Sequence, residues 1–363
     1  MFKKLLVIVI SFAFLLVSGL GIWLWQGLQT LGQPVSLEEP VLFSVPKGAG
    51  YDQVARSMKQ AGFIDDSLWM RIHGRLSPHQ ARLKAGQYEF LDGMSRLDMI
   101  QKMVSGDVKH WEIQFIEGWT FQEMRQAVAG SQRLEKVTTD WTDAQIMTGV
   151  GAEAAHPEGR FFPDTYLFTS LETDLDLYQR AFSKMERVLA EEWQSRSEGL
   201  PYETPYEALI MASIVERETG AAHERAEIAG VFVRRLVKGM RLQTDPTVIY
   251  GMGDSYKGRI TRKDLRTHTE YNTYIIGGLP PTPIALPGRE AIHAALDPAE
   301  GEALYFVARG DGTHKFSRTL AEHQEAVRQF QLNRRSDYRS SPATPESGPE
   351  PEQQKPEEGQ KNP

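Results

Sequence analysis

The sequence predicts a mixed α+β protein that begins with a transmembrane helix. The first observation is an uncharged apolar run from Leu5 to Trp25, which is long enough to cross a bilayer as a helix. The second is a pattern that occurs three times between residues 41 and 131, in which an alternating apolar strand leads through a glycine turn into an amphipathic helix. Such units favour small α+β modules over one long parallel sheet.

Length, charge and cysteine content narrow the possible classes of protein. A chain of 363 residues is too long for one compact domain and suggests two. The net charge of -7, with no basic block to offset it, argues against nucleic acid as a partner. The absence of cysteine excludes thiol catalysis, cysteine-based zinc sites and disulfide bonds.

The residues that flank the apolar run predict its orientation. Lys3 and Lys4 precede it, Trp23 and Trp25 lie at its far end, and the next charged residue is Glu38. This asymmetry places the N-terminus in the cytoplasm and the rest of the chain outside. Because the run is long for a signal peptide and no small-x-small cleavage site follows, we interpret it as an uncleaved anchor.

The strand–turn–helix units start at Val41, Gly86 and Trp111, and each helix ends near a glycine. Ser95 and Thr120 are predicted to cap the second and third helices, because their side-chain oxygens can accept from backbone N–H groups of the first turn. True internal repetition and an ordinary α+β arrangement explain the pattern equally well.

The stretch from Tyr206 to Gly220 predicts a buried helix with two carboxylates near its end. A wide apolar stripe at Leu209, Ile210, Met211, Ile214 and Val215 would pack against a core. Glu216 and Glu218 would point roughly 200° apart at about 100° per residue, so that only one of them faces a given cleft. Burial raises the pKa of such a carboxyl and keeps its proton near neutral pH. Taken alone, the pair is more typical of a solvated helix surface than of a catalytic site.

Two segments after this helix, residues 239–253 and 271–288, predict irregular loops rich in glycine, proline, hydroxyls and rings. Loops on a helical scaffold often carry binding residues. These side chains suit a carbohydrate, although each can also be a turn or capping residue, which is the default for Asp245 before Pro246. The candidates for substrate binding are Gln243, Thr244, Asp245, Tyr250, Tyr271, Asn272 and Tyr274.

Two further segments complete the predicted elements. A hairpin turning at Asp311-Gly312 and a closing helix precede the C-terminus, and the Pro/Glu-rich tail at 336–363 is expected to be disordered. The start of another predicted helix, His223-Glu224, has Glu227 where a zinc-protease motif needs its second His. We therefore expect no metal and no cofactor.

Several of these segments together resemble the MltG (YceG-like) family of endolytic murein transglycosylases. The matching motifs are FPDTY, ASIVERET, RLQTDPTVIYGMG, YNTY with GLPP and IALPG, and FVARGDGTHKFS. They occur in the family's order, and the similarity extends from the anchor to about residue 333.

The resemblance implies a membrane-anchored bacterial lytic transglycosylase that cuts peptidoglycan strands internally and leaves 1,6-anhydro-N-acetylmuramic acid ends. It implies that Glu218 is the catalytic acid, with Glu216 and Thr219 beside it in contact with the substrate. Arg217 stands where the family often has Lys, which keeps the charge.

The resemblance also implies a division of the chain and a cellular setting. The expected parts are the anchor at 1–27, a linker at 28–40, a LysM-like module at 41–108, and a catalytic transglycosylase domain at 109–335 with its acid at the end of a buried helix. The catalytic part is expected outside the bacterial inner membrane, where the enzyme acts on nascent glycan strands alongside penicillin-binding synthases and terminates strand growth.

Two alternatives to a lytic transglycosylase remain open at this stage. A hydrolysing muramidase would need a second carboxylate, for which Glu216, Asp245 or Asp164 are available. A wall-binding adaptor without catalysis would use only the LysM-like part and the anchor.

Overall fold

The computed structural model of the protein describes residues 2–332, and the tail predicted at 336–363 lies outside the described residues. The predicted mixture of helices and strands is confirmed. The helices are α1 (Phe2–Gln29), α2 (Tyr51–Gln60), α3 (Ser67–Leu76), α4 (Arg96–Ser105), α5 (Phe121–Gly130), α6 (Asp143–Gly149), α7 (Asp174–Gln194), α8 (Pro205–Glu218), α9 (Arg225–Val237), α10 (Asp245–Met252), α11 (Arg289–Leu296) and α12 (Leu320–Val327). The strands are β1 (Val41–Val45), β2 (Gly86–Phe90), β3 (Trp111–Gln114), β4 (Thr165–Phe168), β5 (Tyr305–Ala308) and β6 (His314–Ser317).

The strands form three separate antiparallel pairs. Strand β1 pairs with β2, with Phe43 opposite Tyr88. Strand β3 pairs with β4, and β5 pairs with β6 in the predicted hairpin. Because each sheet has only two strands, its stability depends on helices packed against it.

Helix α1 is the one helix of the described chain that is long and apolar enough to cross a membrane. Its apolar side chains are exposed along most of its length, as a lipid-facing helix requires. Near its end, Gly27 is buried against Trp69 of α3, and a Cβ at this position would lie 2.2 Å from the indole ring. The glycine therefore allows α1 to approach α3 closely.

The described chain separates into two compact units by its internal contacts. Unit 1 runs from the start of the described chain to Phe115 and includes Arg125–Val150 and Thr165–Gln179. Unit 2 comprises Ile116–Met124, Gly151–Asp164 and the described residues from Arg180 onward. The segments 125–150 and 165–179, which the sequence-based division assigned to the catalytic domain, thus pack within unit 1.

The core of unit 1 forms where α2, α3 and α4 cover the β1–β2 pair. Phe43, Phe63 and Phe90 make a ring cluster with centroids 5.2–5.8 Å apart. The stretch expected to link the anchor to this module is packed into the same core through Leu31 and Val35. The connector at 28–40 is therefore part of the packed core of unit 1.

All three predicted strand–turn–helix units are present, as β1–α2, β2–α4 and β3–α5. Both predicted caps are confirmed. Ser95 accepts a hydrogen bond from the backbone of Asp98, whose carboxylate accepts from Ser95 in return. Thr120 and Glu123 make the same reciprocal pair at α5. These contacts satisfy N–H groups that a helix start leaves free.

The core of unit 2 is built around α8. Its residues Ala208–Val215 are all buried, and they pack with residues of α7, α9 and α11. Met185, Val188 and Leu189 of α7 lie in the same buried cluster as Leu209 of α8, in line with the predicted packing of the two helices. A helix surrounded in this way is a rigid base for a side chain at its end.

One predicted loop is wrong, because residues Asp245–Met252 form helix α10. The sequence Asp245-Pro246 was interpreted as a turn, but proline is well tolerated in the first turn of a helix, where its missing N–H needs no partner. The glycines at 251 and 253, which favoured a loop, lie in the last turn of this helix and just after it.

Candidate active site

Helix α8 places Glu218 at its C-terminal end. The helix begins at Pro205 behind the N-cap Thr204, whose hydroxyl accepts from the backbone of Glu207 while the Glu207 carboxylate accepts from Thr204. After Glu218 the chain becomes extended at Thr219, and its hydroxyl accepts from the N–H of Ala221. The helix therefore ends in a fixed turn, and Glu218 is held at this end.

The side chain of Glu218 is partly buried and accepts a hydrogen bond from a neutral donor. The Thr244 hydroxyl donates a hydrogen bond to its Oε1. The pKa of Glu218 is raised to about 7, chiefly by burial and to a smaller extent by the nearby Asp245 carboxylate, while the Thr244 hydroxyl and the Arg235 guanidinium act in the opposite direction. A large share of the Glu218 side chains therefore keep their proton at neutral pH, as a general acid requires.

Glu218 borders a cavity of about 560 Å³ in unit 2. One side of the cavity carries Gln243, Asp245 and Tyr274, all of which were predicted to bind substrate. The β5–β6 hairpin and the helix that follows also contribute lining residues. The remaining lining residues are Phe232, Arg235, Leu242, Tyr305, Phe306, Val307, Ala308, His314, Leu320, His323 and Gln331.

The backbone at Gln243 is strained. This residue has φ of +54°, a conformation that is uncommon for a residue other than glycine. It is held there because the N–H of Gln243 donates to the Thr273 carbonyl (3.2 Å) and the N–H of Thr244 donates to the Thr273 hydroxyl (3.1 Å). Strain of this kind often accompanies functional sites, and at this position it presents Gln243 to the cavity and Thr244 to Glu218.

Glu216 lies in a different environment from Glu218. The backbone N–H of Gly288 donates to its Oε2 at 2.9 Å, and the Arg225 guanidinium is 3.7 Å from its Oε1. Its side chain is only 6% exposed, and burial raises its pKa. Glu216 and Glu218 therefore lie in different surroundings, as predicted. Of the two, Glu218 lines the cavity.

The predicted tyrosines fall into two groups. Tyr274 lines the cavity, and its hydroxyl donates to Asp245 Oδ1 at 2.7 Å. Tyr250 and Tyr271 instead pack edge to face, with ring centroids 4.8 Å apart. The Tyr250 hydroxyl donates to Glu158 Oε2 at 3.0 Å, so this pair belongs to a second cluster around Glu158.

The cluster around Glu158 holds another carboxyl group with an unusual pKa. Glu158 is buried, and its Oε1 accepts from the N–H of Phe121 at 2.9 Å. Burial raises its pKa to about 7, although the N–H of Phe121 and the Tyr250 hydroxyl both favour its ionised form. A raised pKa is therefore not unique to Glu218 within unit 2.

Two residues that were predicted to bind substrate are buried and make hydrogen bonds within the protein. Asn272 is fully buried, its amide donates to the carbonyls of Asp264 and Thr267, and its side-chain oxygen accepts from the N–H of Tyr274. Thr219 is also buried and forms the turn after α8. Both residues shape the backbone on which neighbouring site residues lie.

Sequence reasoning missed Arg235 and the hairpin side of the cavity. Arg235 is buried, and it donates to the carbonyls of Leu304 and Leu242 at 2.7 Å each. The hairpin itself was predicted, but no local pattern indicates which of its faces meets α9. Among residues 2–332, no three His, Cys, Asp or Glu side chains are grouped as metal ligands would be.

A protonated carboxyl group at the edge of a polar and aromatic cavity is what an enzyme that cleaves glycosidic bonds requires. The comparisons with known proteins agree with this class. The model of the YceG-like family matches residues 43–329. A protein of Bacillus subtilis (strain 168) named endolytic murein transglycosylase is 30% identical over 321 residues, which cover 83% of this chain and 88% of that protein.

Two further relatives extend the comparison. A protein of the same name from Streptococcus pneumoniae serotype 2 is 26% identical over 301 residues, and the match spans 74% of this chain and 54% of that longer protein. A crystal structure of a YceG-like protein from Listeria monocytogenes is 28% identical, with a TM-score of 0.49, and covers 80% of this chain and 99% of that one. The chain belongs to the YceG-like family.

Proposed function

We propose that the protein is an endolytic lytic transglycosylase of peptidoglycan, with Glu218 as its single catalytic acid and base. The class of enzyme rests on the family and on the name that its relatives share. The bond cut is that between N-acetylmuramic acid and N-acetylglucosamine within a glycan strand. The observation that carries the assignment of Glu218 is its combination of a pKa of about 7 with a position at the cavity.

The first step is the transfer of the Glu218 proton to the glycosidic oxygen. As that oxygen gains the proton, its bond to C1 of N-acetylmuramic acid breaks and positive charge develops at C1. A general acid contributes most when its pKa lies near the working pH, which a pKa of about 7 satisfies. Burial supplies this value, since it disfavours the charged form of the carboxyl group.

The second step is ring closure within the substrate. The C6 hydroxyl of the same sugar attacks C1, and the Glu218 carboxylate accepts the hydroxyl proton, which restores the acid and gives a 1,6-anhydro end. Because the attacking group belongs to the substrate, proximity favours the reaction and no second carboxylate is needed. Asp245 then serves another purpose, since its charge favours the protonated form of Glu218.

Gln243, Thr244 and Tyr274 are proposed to support this chemistry. The Thr244 hydroxyl fixes the direction of the Glu218 carboxyl group. Gln243 and Tyr274 border the cavity and offer an amide and a phenol to the sugar hydroxyls. A contact of the substrate with Glu216, Thr219, Tyr250, Tyr271 or Asn272 stays a prediction.

The cellular setting of the reaction is also part of the proposal. Helix α1 supports attachment to the inner membrane, with Lys3 and Lys4 on the cytoplasmic side and the cavity outside. The module at residues 41–108 is proposed to be LysM-like and to grip glycan. An enzyme attached in this way meets strands as synthases, such as the penicillin-binding proteins, extend them, and its cuts would terminate their growth.

The test is the chemistry of the product ends. Full-length protein in detergent is incubated with purified glycan strands, and the products are analysed by mass spectrometry. We expect internal fragments with 1,6-anhydro-N-acetylmuramic acid ends, and none from Glu218→Gln. Reducing ends in place of anhydro ends would show hydrolysis by a muramidase, and an uncut substrate would favour a wall-binding adaptor.

The proposed effect of the anchor has its own test. A variant without residues 1–27 is expected to cleave purified strands but to give a different strand-length distribution in cells, because its access to new strands at the membrane is lost. An unchanged length distribution at equal protein level would contradict this part of the proposal.

A further inference from the structure

A buried histidine–carboxylate pair that the proposed mechanism does not use has its histidine at the cavity. His314, the first residue of β6, lines the cavity with Glu218. Its Nδ1 is 2.7 Å from Oε2 of Glu224, and its backbone N–H donates to Oε1 of the same carboxylate at 2.9 Å. Both side chains are less than a tenth exposed. Glu224 thus holds the backbone and the ring of His314 together.

The contacts of Glu224 determine which ring atom of His314 is free to bind a ligand. A carboxylate only accepts hydrogen bonds, so Nδ1 carries a hydrogen and donates to it. In the neutral ring, Nε2 then has a lone pair and no hydrogen. Nε2 makes no hydrogen bond within residues 2–332, and it is absent from the buried polar atoms that lack a partner. It is therefore the polar atom that His314 offers to the cavity.

The ring of His314 is fixed by its apolar neighbours as well as by Glu224. Phe306 of β5 lies edge to face against it, with centroids 5.4 Å apart. Phe306 in turn packs edge to face on Phe232 of α9, at 5.6 Å. A ring held on several sides has lost its rotational freedom before a ligand arrives, so it binds at a lower entropic cost.

Stability alone is a weak explanation for this pair. Replacing a buried polar contact that contains a charge by apolar residues is often neutral or stabilising, because the buried groups lose their hydration. A second pair shows how an ordinary contact of this kind looks, since His293 Nδ1 is 3.0 Å from Oε2 of Glu192, and the His293 side chain is 59% exposed. His293 and His314 therefore make the same type of contact, and His314 makes it at the wall of the cavity.

We propose that His314 is a glycan-binding residue whose Nε2 accepts a hydrogen bond from a sugar hydroxyl or N-acetyl N–H group, and that Glu224 is its positioning residue. The proposal rests on the proposed function for the identity of the ligand. It makes the β5–β6 hairpin a part of the cavity that binds glycan. Recognition then depends on the hairpin as well as on Gln243 and Tyr274.

Two substitutions at residue 314 separate binding from a structural role. Asparagine places its amide near the position of Nδ1, so His314→Asn can keep the contact with Glu224 but offers nothing to the cavity. Glutamine places its amide near the position of Nε2, so His314→Gln keeps a cavity group and weakens the contact with Glu224. If the pair only stabilises the fold, Asn is the milder change; if His314 binds glycan, Gln is the milder change for binding.

The measurement is the affinity of peptide-free glycan strands for full-length protein that carries Glu218→Gln, so that nothing is cleaved. We expect His314→Asn in this background to raise Kd about threefold to tenfold, the loss of one hydrogen bond, with an unchanged melting temperature. His314→Gln should stay within about twofold of the parent in Kd and melt at a lower temperature. The control substitutions His293→Asn and His293→Gln should leave Kd unchanged.

The positioning by Glu224 has a matching prediction. In enzymes with an intact Glu218, Glu224→Gln keeps one acceptor for the ring and should raise KM while kcat changes little. A change in kcat with no change in KM would contradict the positioning role of Glu224. Equal Kd for His314→Asn and the parent, or no binding of glycan by the parent, would overturn the inference. Failure of the proposed function is a separate result, namely the absence of anhydro ends from the wild-type protein.

Discussion

Unit 2 holds two carboxyl groups whose pKa is raised to about 7, and their surroundings differ. Glu158 is closed in by the N–H of Phe121 and the hydroxyl of Tyr250, both of which donate to it. Glu218 has the Thr244 hydroxyl, a like charge in Asp245 and a cavity of about 560 Å³ beside it. A raised pKa therefore shows burial, and only the adjoining cavity turns burial into a candidate for catalysis.

The largest expected effect that separates the two groups is on the rate of cleavage. Glu218→Gln should lower kcat by roughly 10²–10⁴-fold, the usual contribution of a general acid, while the melting temperature changes little. Glu158→Gln should lower kcat by less than about tenfold on the same scale, because Glu158 is not among the residues that line the cavity. Rates of anhydro-end formation measure both. Equal losses of kcat in Glu218→Gln and Glu158→Gln would contradict the assignment of catalysis to Glu218 alone.

The next effect concerns stability, where the order is reversed. Glu158→Ala leaves the N–H of Phe121 and the Tyr250 hydroxyl without their acceptor, and should lower the free energy of unfolding by about 1–3 kcal/mol. Denaturant titration of full-length protein in detergent gives this value. A loss of stability for Glu218→Ala that exceeds the loss for Glu158→Ala would show that Glu218 is the more structural of the two.

The pH dependence of stability follows from the raised pKa of Glu158. Its ordinary pKa of 4.5 applies in the unfolded chain, and its pKa in the folded protein is about 7. The stability that the protonated group contributes is therefore fully present below about pH 4.5 and is lost as the pH rises to about 7. Glu158→Gln should weaken the fall in stability between pH 5 and pH 8, as measured by denaturant titration. Glu153→Gln, at an exposed position, should leave this fall unchanged.

A smaller effect tests the electrostatics of Glu218. Asp245→Asn keeps the acceptor for the Tyr274 hydroxyl but removes the charge that raises the pKa of Glu218. Since the acid is active in its protonated form, the alkaline limb of the pH profile of kcat/KM should move to lower pH. A shift to higher pH would contradict the part assigned to Asp245.

The smallest effect is expected at Glu216, two residues from the acid. Glu216→Gln retains an acceptor for the Gly288 N–H and removes a charge that burial disfavours together with its attraction to Arg225, so kcat should stay within about tenfold of wild type and the free energy of unfolding should change by less than about 1 kcal/mol. Product analysis and denaturant titration provide the two values. A loss of activity as large as that of Glu218→Gln would make Glu216 a second catalytic carboxylate.

The sequence predicted the helices and strands that carry the site better than it predicted the contacts of the site residues. The apolar stripe of α8 and the different directions of Glu216 and Glu218 follow from helical periodicity. The sequence alone could therefore predict that the two carboxyl groups lie in different surroundings. The helix at Asp245 was missed because the same Asp-Pro pair can begin either a turn or a helix. The burial of Asn272, the raised pKa of Glu158 and the pairing of His314 with Glu224 depend on residues distant in the chain, for which local pattern carries no signal.

The central claim is that Glu218 keeps its proton at neutral pH beside the cavity. Difference infrared spectroscopy across a pH titration of protein labelled with ¹³C-glutamate reports the protonation of carboxyl groups, and the Glu158→Gln background removes the second glutamate of unit 2 whose pKa is raised to about 7. A protonated carboxyl band that titrates with a pKa of about 7 and disappears in Glu218→Gln is the predicted result. A Glu218 carboxyl group that titrates near its ordinary value of 4.5 would contradict the mechanism.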